Sequence, residues 1–445
     1  MGFGGGHERT IRAKKNIAAL FIIKGINIVL GLALVPLTMN YLNPTKYGIW
    51  ITLTSVVAWF GFFDIGLGNG LRNRFAEAIA KGNRGLARTY VSTTYAMLII
   101  IVGIVLVLFF IINIFLNWGV ILNTGADPVL KQELSRLAIV VFTSFGMTLV
   151  LNLILVILIA DQRPARSSLL DLIGKSLSLL FIYILTRVTN SSLLSLGLVY
   201  CTITPLVLAV STIWHFNNKY RIYRPAFKSV DFVKAKDLFG LGFRFFVIQL
   251  TAILLYQTNN MIIAQLFGPA LVTTYNVAFK YFSVLLIGFM IIVSPFWSAF
   301  TEAWQKQDVA WIAGIMNRLR NIWLLIVGCG VTMLVFSGPI YRVWIGNNFA
   351  VPFSISLLSL GWMLINAWNG IFSHFLNGVG KIRIQLYFGT FAAIVNIPLA
   401  LFLGKHIGIS GVLLANVLVM LSVAWIGPIQ YGRIMRKTAT GIWNQ

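Results

Sequence analysis

Apolar runs of about 20 residues recur along the whole chain, parted by short basic connectors, and that recurrence admits few folds. A helix of this length crosses roughly 30 Å of hydrocarbon at 1.5 Å per residue. Barrel strands need about 10 residues and alternate apolar with polar positions, and the sequence has no such alternation. Composition agrees. Hydrophobic residues make up 58% of the 445 and charged residues only 10%, against about a quarter in soluble domains. Mean hydropathy is +0.86. The sequence therefore predicts an all-α polytopic membrane protein. Its first helix is read as uncleaved, because no small-residue cleavage site follows the polar, basic start.

Twelve spans are expected, at Asn16–Leu37, Tyr47–Gly66, Tyr90–Ile114, Ala138–Ala160, Leu169–Leu185, Leu194–His215, Phe239–Leu266, Val272–Phe296, Ile322–Ile340, Phe353–Asn377, Leu386–Leu403 and Ile409–Ile426. They divide the chain into a basic N-terminus (1–15), a first lobe (16–216), a basic linker (217–238), a second lobe (239–428) and a C-terminus (429–445). An even count puts both termini on one side. That side and its connectors hold 25 of the 35 lysines and arginines, while the opposite connectors hold six: Lys46, Lys131, Arg136, Arg187, Arg342 and Lys405. Positive charge collects on the cytoplasmic side, so both termini are expected there. The net charge of +24 is thus a topology signal, and nucleic acid is not an expected partner. The linker from Lys219 to Lys236 also suits anionic membrane lipids.

The stretch Gly61–Asn83 carries Asp64, then Gly66, Gly68 and Gly70, then Arg72 and Arg74. A phosphate loop needs a strand before it and a helix N-terminus after it. Here a transmembrane span precedes the glycines. The reading preferred is a helix end: small residues for close helix approach, Gly70 as the stop, and Asp64 neutralised by Arg72 or Arg74. The tail of this stretch recurs. Phe75, Glu77, Ala78 and Lys81 match Phe300, Glu302, Ala303 and Lys306 at a constant offset (300 − 75 = 225), and Pro44 matches Pro269 at the same offset. Only four glutamates occur in the chain, and two are at this matched position. Each precedes a lysine by four residues, the favourable order for an exposed helical pair. An interfacial helix is the plainer reading and a pair of symmetric inner gates the sharper one. Six spans part the copies, so they share an orientation. The expectation is two six-helix bundles related by a parallel internal repeat, an arrangement found in transporters.

Ionisable residues deep in a span are candidates for function. Lys24, Arg244 and Lys280 qualify, with snorkelling to headgroups as the competing reading. Lys175 also lies within a span, but Asp171 four residues earlier favours a structural pair. The balance is cationic and suits a pyrophosphate. Polar groups accompany it: Tyr256, Gln257, Asn259 and Asn260 in the seventh span, Tyr275 and Asn276 in the eighth, and Asn366, Asn369, His374 and Asn377 in the tenth. These suit sugar hydroxyls and equally suit helix–helix hydrogen bonds.

The segment "FFDIGLGNGLRNRFAEA", with "PLTMNYLNPTKYGIW" (Pro36–Trp50) and "GISGVLLAN" (Gly408–Asn416), resembles the Wzx-type polysaccharide flippases of the multidrug/oligosaccharidyl-lipid/polysaccharide (MOP) exporter superfamily. The resemblance covers essentially the whole chain. It implies a MATE/MOP-like fold in the bacterial inner membrane, working by alternating access. It implies an undecaprenyl-pyrophosphate-linked oligosaccharide as substrate, with no cofactor or metal. Other polysaccharide-assembly proteins are expected partners, and coupling to H+ or Na+ is left open. Two other functions compete with this one. A cation-coupled multidrug exporter needs a carboxylate-lined cavity, and the chain has few buried acids. A membrane glycosyltransferase or polymerase needs catalytic carboxylates or a large extramembrane domain. The longest outer connector, near Leu116–Leu137, is short, and its Asp127 and Glu133 have no evident partners.

Overall fold

A computed structural model describes residues 4–64, 66–124, 128–161, 163–238, 257–347 and 349–444. Among these residues the regular structure is helical, without strands. Among the described residues ten stretches are long and apolar enough to cross a membrane, from Phe21–Leu42 to Ile409–Met435, so the chain is a multi-pass membrane protein. Two predicted spans are outside those ten. The seventh, Phe239–Leu266, falls mostly outside the described residues, and Arg244 and Tyr256 with it. The second is shorter than expected, as described below.

Chain contacts divide the protein into two units. The first comprises Met1–Lys46 and Leu53–Leu250, the second Tyr47–Thr52 and Thr251–Gln445. The first half of the chain contains α1 (Gly4–Leu42), α2 (Pro44–Trp59), α3 (Leu67–Ala80), α4 (Arg84–Asn113), the short α5 (Trp118–Ile121), α6 (Pro128–Leu151), α7 (Leu153–Ala160), α8 (Pro164–Val188) and α9 (Leu193–Asn217). Within the first unit a buried cluster joins Leu67, Leu71 and Phe75 of α3, Val91 and Leu98 of α4, Ile154 and Ile157 of α7, and Phe216 at the end of α9. The basic linker belongs to this cluster through Tyr220 and Leu238. It is also tied to α4 by hydrogen bonds: Ala226 N–H donates to Ser92 Oγ at 3.2 Å and Asp231 N–H to Thr93 Oγ1 at 3.0 Å. These bonds explain buried Ser92 and Thr93 in an apolar span, and Thr94 beside them donates to the Tyr90 carbonyl at 2.8 Å.

The second half contains helical residues 257–267 (α10), α11 (Pro269–Val293), α12 (Phe296–Gln305), α13 (Val309–Val335), α14 (Ser337–Ile345), α15 (Phe353–Gly378), α16 (Arg383–Ile407), α17 (Ile409–Ala424) and α18 (Ile426–Met435). One core gathers Phe289, Phe300, Met316, Ile371 and Phe375 from α11, α12, α13 and α15. Another gathers Ile263, Val272, Ile355, Ala400 and Val412 from α10, α11, α15, α16 and α17.

The repeat is visible in backbone detail. Asn43 (φ 75°, ψ 163°) and Gly268 (φ 87°, ψ 164°) precede the two matched prolines, each at a helix start. Lys81 and Lys306 close α3 and α12 with nearly identical angles, φ −81° in both. Asn83 and Asp308 then cap the next helix, each accepting a backbone N–H three residues on. A cap of this kind satisfies donors that the first helical turn leaves unpaired. The Glu–Lys pairs form in both copies, Glu77 with Lys81 at 2.7 Å and Glu302 with Lys306.

The glycine-rich stretch departs from expectation. The second span ends at Trp59, seven residues short of Gly66, and a 3-10 turn covers Phe60–Asp64. Gly66, at φ 74°, holds the left-handed conformation that starts α3. Gly70 is not the stop. It lies inside α3, where a Cβ would meet the Leu238 carbonyl oxygen at 2.4 Å. Close approach, the other role assigned to these glycines, is the reason it must be small. Asp64 pairs with neither arginine. Its carboxylate accepts the Gly68 N–H at 3.0 Å, while Arg74 is engaged by Glu77 at 3.0 Å and the Asp237 carbonyl at 3.3 Å. The reason is geometric: the turn folds Asp64 back onto the start of α3, where free backbone donors attract an anion. Glu133 also has partners. It accepts from Ser192 Oγ at 3.0 Å and Leu194 N–H at 3.1 Å, at the start of α9. Asp127 lies outside the described residues.

Candidate functional site

Buried side-chain amides concentrate in the second unit. Asn259, Asn260, Asn276, Asn396 and Asn416 are each at most 8% exposed. Amides buried in apolar surroundings must find partners, because an unpaired polar group in hydrocarbon is costly. They find one another. Asn396 Nδ2 donates to Asn416 Oδ1 at 2.9 Å, and Asn416 Nδ2 donates to Asn259 Oδ1 at 3.0 Å. Asn259 Nδ2 approaches the Tyr275 hydroxyl at 3.5 Å. Beside this chain Asn276 Nδ2 donates to Asn260 Oδ1 at 2.8 Å. Four helices, α10, α11, α16 and α17, are thereby joined by carboxamides without a carboxylate among these partners. Next to the amides is a cavity of about 10 Å³ lined by Asn259, Tyr275, Phe279, Ser359, Trp362 and Asn416 among others. That volume admits about one water-sized group. The Ser359 hydroxyl is buried there without a partner among the described residues.

Of the predicted polar lining, Asn260, Tyr275 and Asn276 are thus brought together. Gln257 and Asn369 are half-buried on α10 and α15. His374, on α15, donates from Nδ1 within its own turn, to the Gly370 carbonyl at 2.8 Å, and that acceptor places the ring proton on Nδ1. Asn366 donates to the Trp362 carbonyl at 2.8 Å. Asn396, Asn416 and Ser359 were not among the predicted lining. Asn416 closes the quoted motif Gly408–Asn416, and a lone amide in an apolar span is a signal that could have found both it and Asn396.

The predicted cationic residues are distributed over both units. Lys24 is half-buried on α1, in the first. Lys280 is half-buried on α11, in the second. Lys175 is half-buried on α8 and bonded to Asp171 at 2.8 Å, the pair its spacing predicts. At the helix ends Arg72 is exposed. The Glu77 carboxyl is held below the usual glutamate range by hydrogen bonds from Lys81 and Arg74, and Glu302 likewise by Lys306.

This two-half helical plan, with its caps repeated after 225 residues, has solved counterparts. A multidrug resistance MATE family transporter of the MOP superfamily, in its inward-facing conformation, superposes with a TM-score of 0.69 over 95% of this chain and all of that one, at 14% identity. The outward-facing conformation of a transporter described in the same words gives 0.66 over 96% of this chain and 97% of that one. The chain has the fold of these MATE transporters. Sequence comparison adds relatives. A Salmonella typhimurium protein named "Putative O-antigen transporter" is 24% identical over 92% of this chain and 93% of its own length. A Yersinia pseudotuberculosis "Putative O-antigen export protein" is 20% identical over 90% and 85%. No family model matches the chain. These relatives agree with the resemblance drawn from Pro36–Trp50, the Asp64 segment and Gly408–Asn416, and all of them are named for transport or export.

Proposed function

We propose that the protein is a flippase for a lipid-linked oligosaccharide, an O-antigen, capsule or exopolysaccharide repeat unit carried on undecaprenyl pyrophosphate. It moves this substrate from the cytoplasmic to the outer leaflet of the bacterial inner membrane by alternating access. The observation that carries the reading is the near full-length similarity to proteins named for O-antigen transport. Two features support it. Lys24, Arg244 and Lys280 supply cationic groups within spans for a pyrophosphate. The second unit concentrates carboxamides, which donate to and accept from sugar hydroxyls, where an organic-cation exporter calls for carboxylates. Both termini are assigned to the cytoplasm from the 25-to-6 bias in basic residues. The second reading, a cation-coupled multidrug exporter, is favoured by the fold shared with multidrug resistance MATE transporters.

Deletion and complementation separate the two. On the flippase reading, deleting the gene makes undecaprenyl-linked glycan accumulate on the cytoplasmic face, and the intact gene restores export. Lys24→Ala and Lys280→Ala should each lower glycan export at native levels of folded protein. Normal export in both variants would remove the cationic-site reading. Drug resistance on expression, with no glycan phenotype, would replace the flippase by the exporter.

A further inference from the structure

An open groove of about 610 Å³ runs between α8 and α9 in the first unit. Its walls are apolar: Leu169, Ile173 and Leu177 from α8, Leu206 and Val210 from α9. Several of these are largely exposed, Val210 at 60% and Leu206 at 57%. From Arg166 to Leu177 the groove follows α8 for about 16 Å, roughly half the thickness of a bilayer's hydrocarbon core. It is therefore one leaflet deep.

One end is chemically different from the rest. Arg166, Trp214 and His215 lie there, where α8 begins and α9 finishes. Tryptophan and arginine at one level mark a headgroup interface. Arg163 and Lys219 adjoin, and both are bonded to the single carboxylate of Asp161. Arg166 stands outside that ion-pair cluster, so the end is net cationic. His215 is only 5% exposed. Its Nδ1 donates to the Ser211 carbonyl at 2.8 Å, which leaves Nε2 as the acceptor of the neutral ring. Nε2 is buried and has no partner among the described residues. Buried polar atoms without a partner are rare in native proteins, and one in the wall of a groove points to a donor from outside the chain.

We infer that the groove holds a resident anionic phospholipid with a hydroxylated headgroup. An acyl chain lies along Leu169, Ile173, Leu206 and Val210, the phosphate accepts from Arg166, and a headgroup hydroxyl donates to His215 Nε2. The depth of the groove selects a lipid of one leaflet over a much longer polyprenyl chain, and the uncommitted arginine selects an anionic phosphate over a zwitterionic surface.

The test uses the full-length protein extracted from vesicles of equal phosphatidylglycerol and phosphatidylcholine with matched chains. Native mass spectrometry counts the retained lipids, and a photoreactive acyl chain on phosphatidylglycerol maps the contact. The wild type should retain phosphatidylglycerol in preference and label residues of α8 and α9. Arg166→Gln should reduce that preference about fivefold, the worth of one charge near a membrane surface. Val210→Trp, on an exposed wall position, should reduce labelling while Arg166 stays in place. Equal retention of the two lipids by the wild type would overturn the inference. So would labelling elsewhere, or displacement of phosphatidylglycerol by an equal concentration of polyprenyl phosphate.

Discussion

The second span of each half starts and finishes alike and differs between. Both begin at a positive-φ residue followed by proline, Asn43-Pro44 and Gly268-Pro269. Both lead to a helix closed by Lys81 or Lys306 and a capped successor. In the first half the span breaks after 16 residues, and Asp64 is spent on capping α3. In the second half α11 runs unbroken for 25 residues to Val293, and its face carries Tyr275 and Asn276. Set back by 225 residues, Asn259, Asn260, Tyr275 and Asn276 correspond to Leu34, Val35, Trp50 and Ile51. At these four positions the first half thus has no carboxamide. Caps and turns preserve the duplicated frame, while the interiors have diverged, one toward a backbone break and the other toward buried amides.

The largest effect should come from forcing the shared frame. Gly48 meets the start of α11 so closely that a Cβ would lie 1.7 Å from the Pro269 carbonyl oxygen. Gly48→Ala should destabilise the protein by about 3 kcal/mol, read as loss of folded protein by thermal unfolding in detergent. Next comes the amide network. Asn416→Leu leaves Asn259 Oδ1 and Asn396 Nδ2 without their partner and should cost about 1–2 kcal/mol, with reduced export. The reverse change in the first half, Leu34→Asn, should restore nothing. If Leu34→Asn rescued Asn416→Leu, the asymmetry between the halves would be wrong. Asp64→Ala removes one cap bond and should cost about 1 kcal/mol, whereas Asp64→Asn, which keeps an acceptor, should retain most of that stability.

The smallest effect belongs to the matched ion pairs. Glu77 and Glu302 have depressed carboxyl pKa values from their lysines. A carboxyl depressed on folding stabilises above its unfolded pKa and loses that contribution as pH falls through the folded one. The pairs therefore weaken only on acidification below the ordinary glutamate range, about pH 4. Both are fully exposed, so Glu302→Gln should leave the melting temperature within error at neutral pH. Glu77→Gln should differ from it only through Arg74, which has Ala299 as its counterpart.

The duplicated frame was legible because proline, glutamate and lysine act within a turn or two of their own position. A match at 225 residues thus predicts a match in backbone, and Asn43 with Gly268 bears it out. The break at Trp59 was not legible. The residues around it, Ala58 to Phe63, are as apolar as any span, and the positive φ falls on one of several nearby glycines. The network was half legible. Asn260 and Asn276 stand out within one hairpin, but Asn416 reaches Asn259 from 157 residues away, a pairing that no local spacing announces.

The linker tied to α4 has a consequence for dividing the chain. Tyr220 fills the first unit's core and Leu238 lies against Gly70, so the segment after α9 is a structural part of that unit. A scission placed after Leu238 leaves the amino-terminal fragment with its closing turn intact. A scission after Asn217 strips Ser92, Thr93 and Gly70 of the neighbours that cover them. Co-expressed fragments should therefore reassemble from the first cut and not from the second.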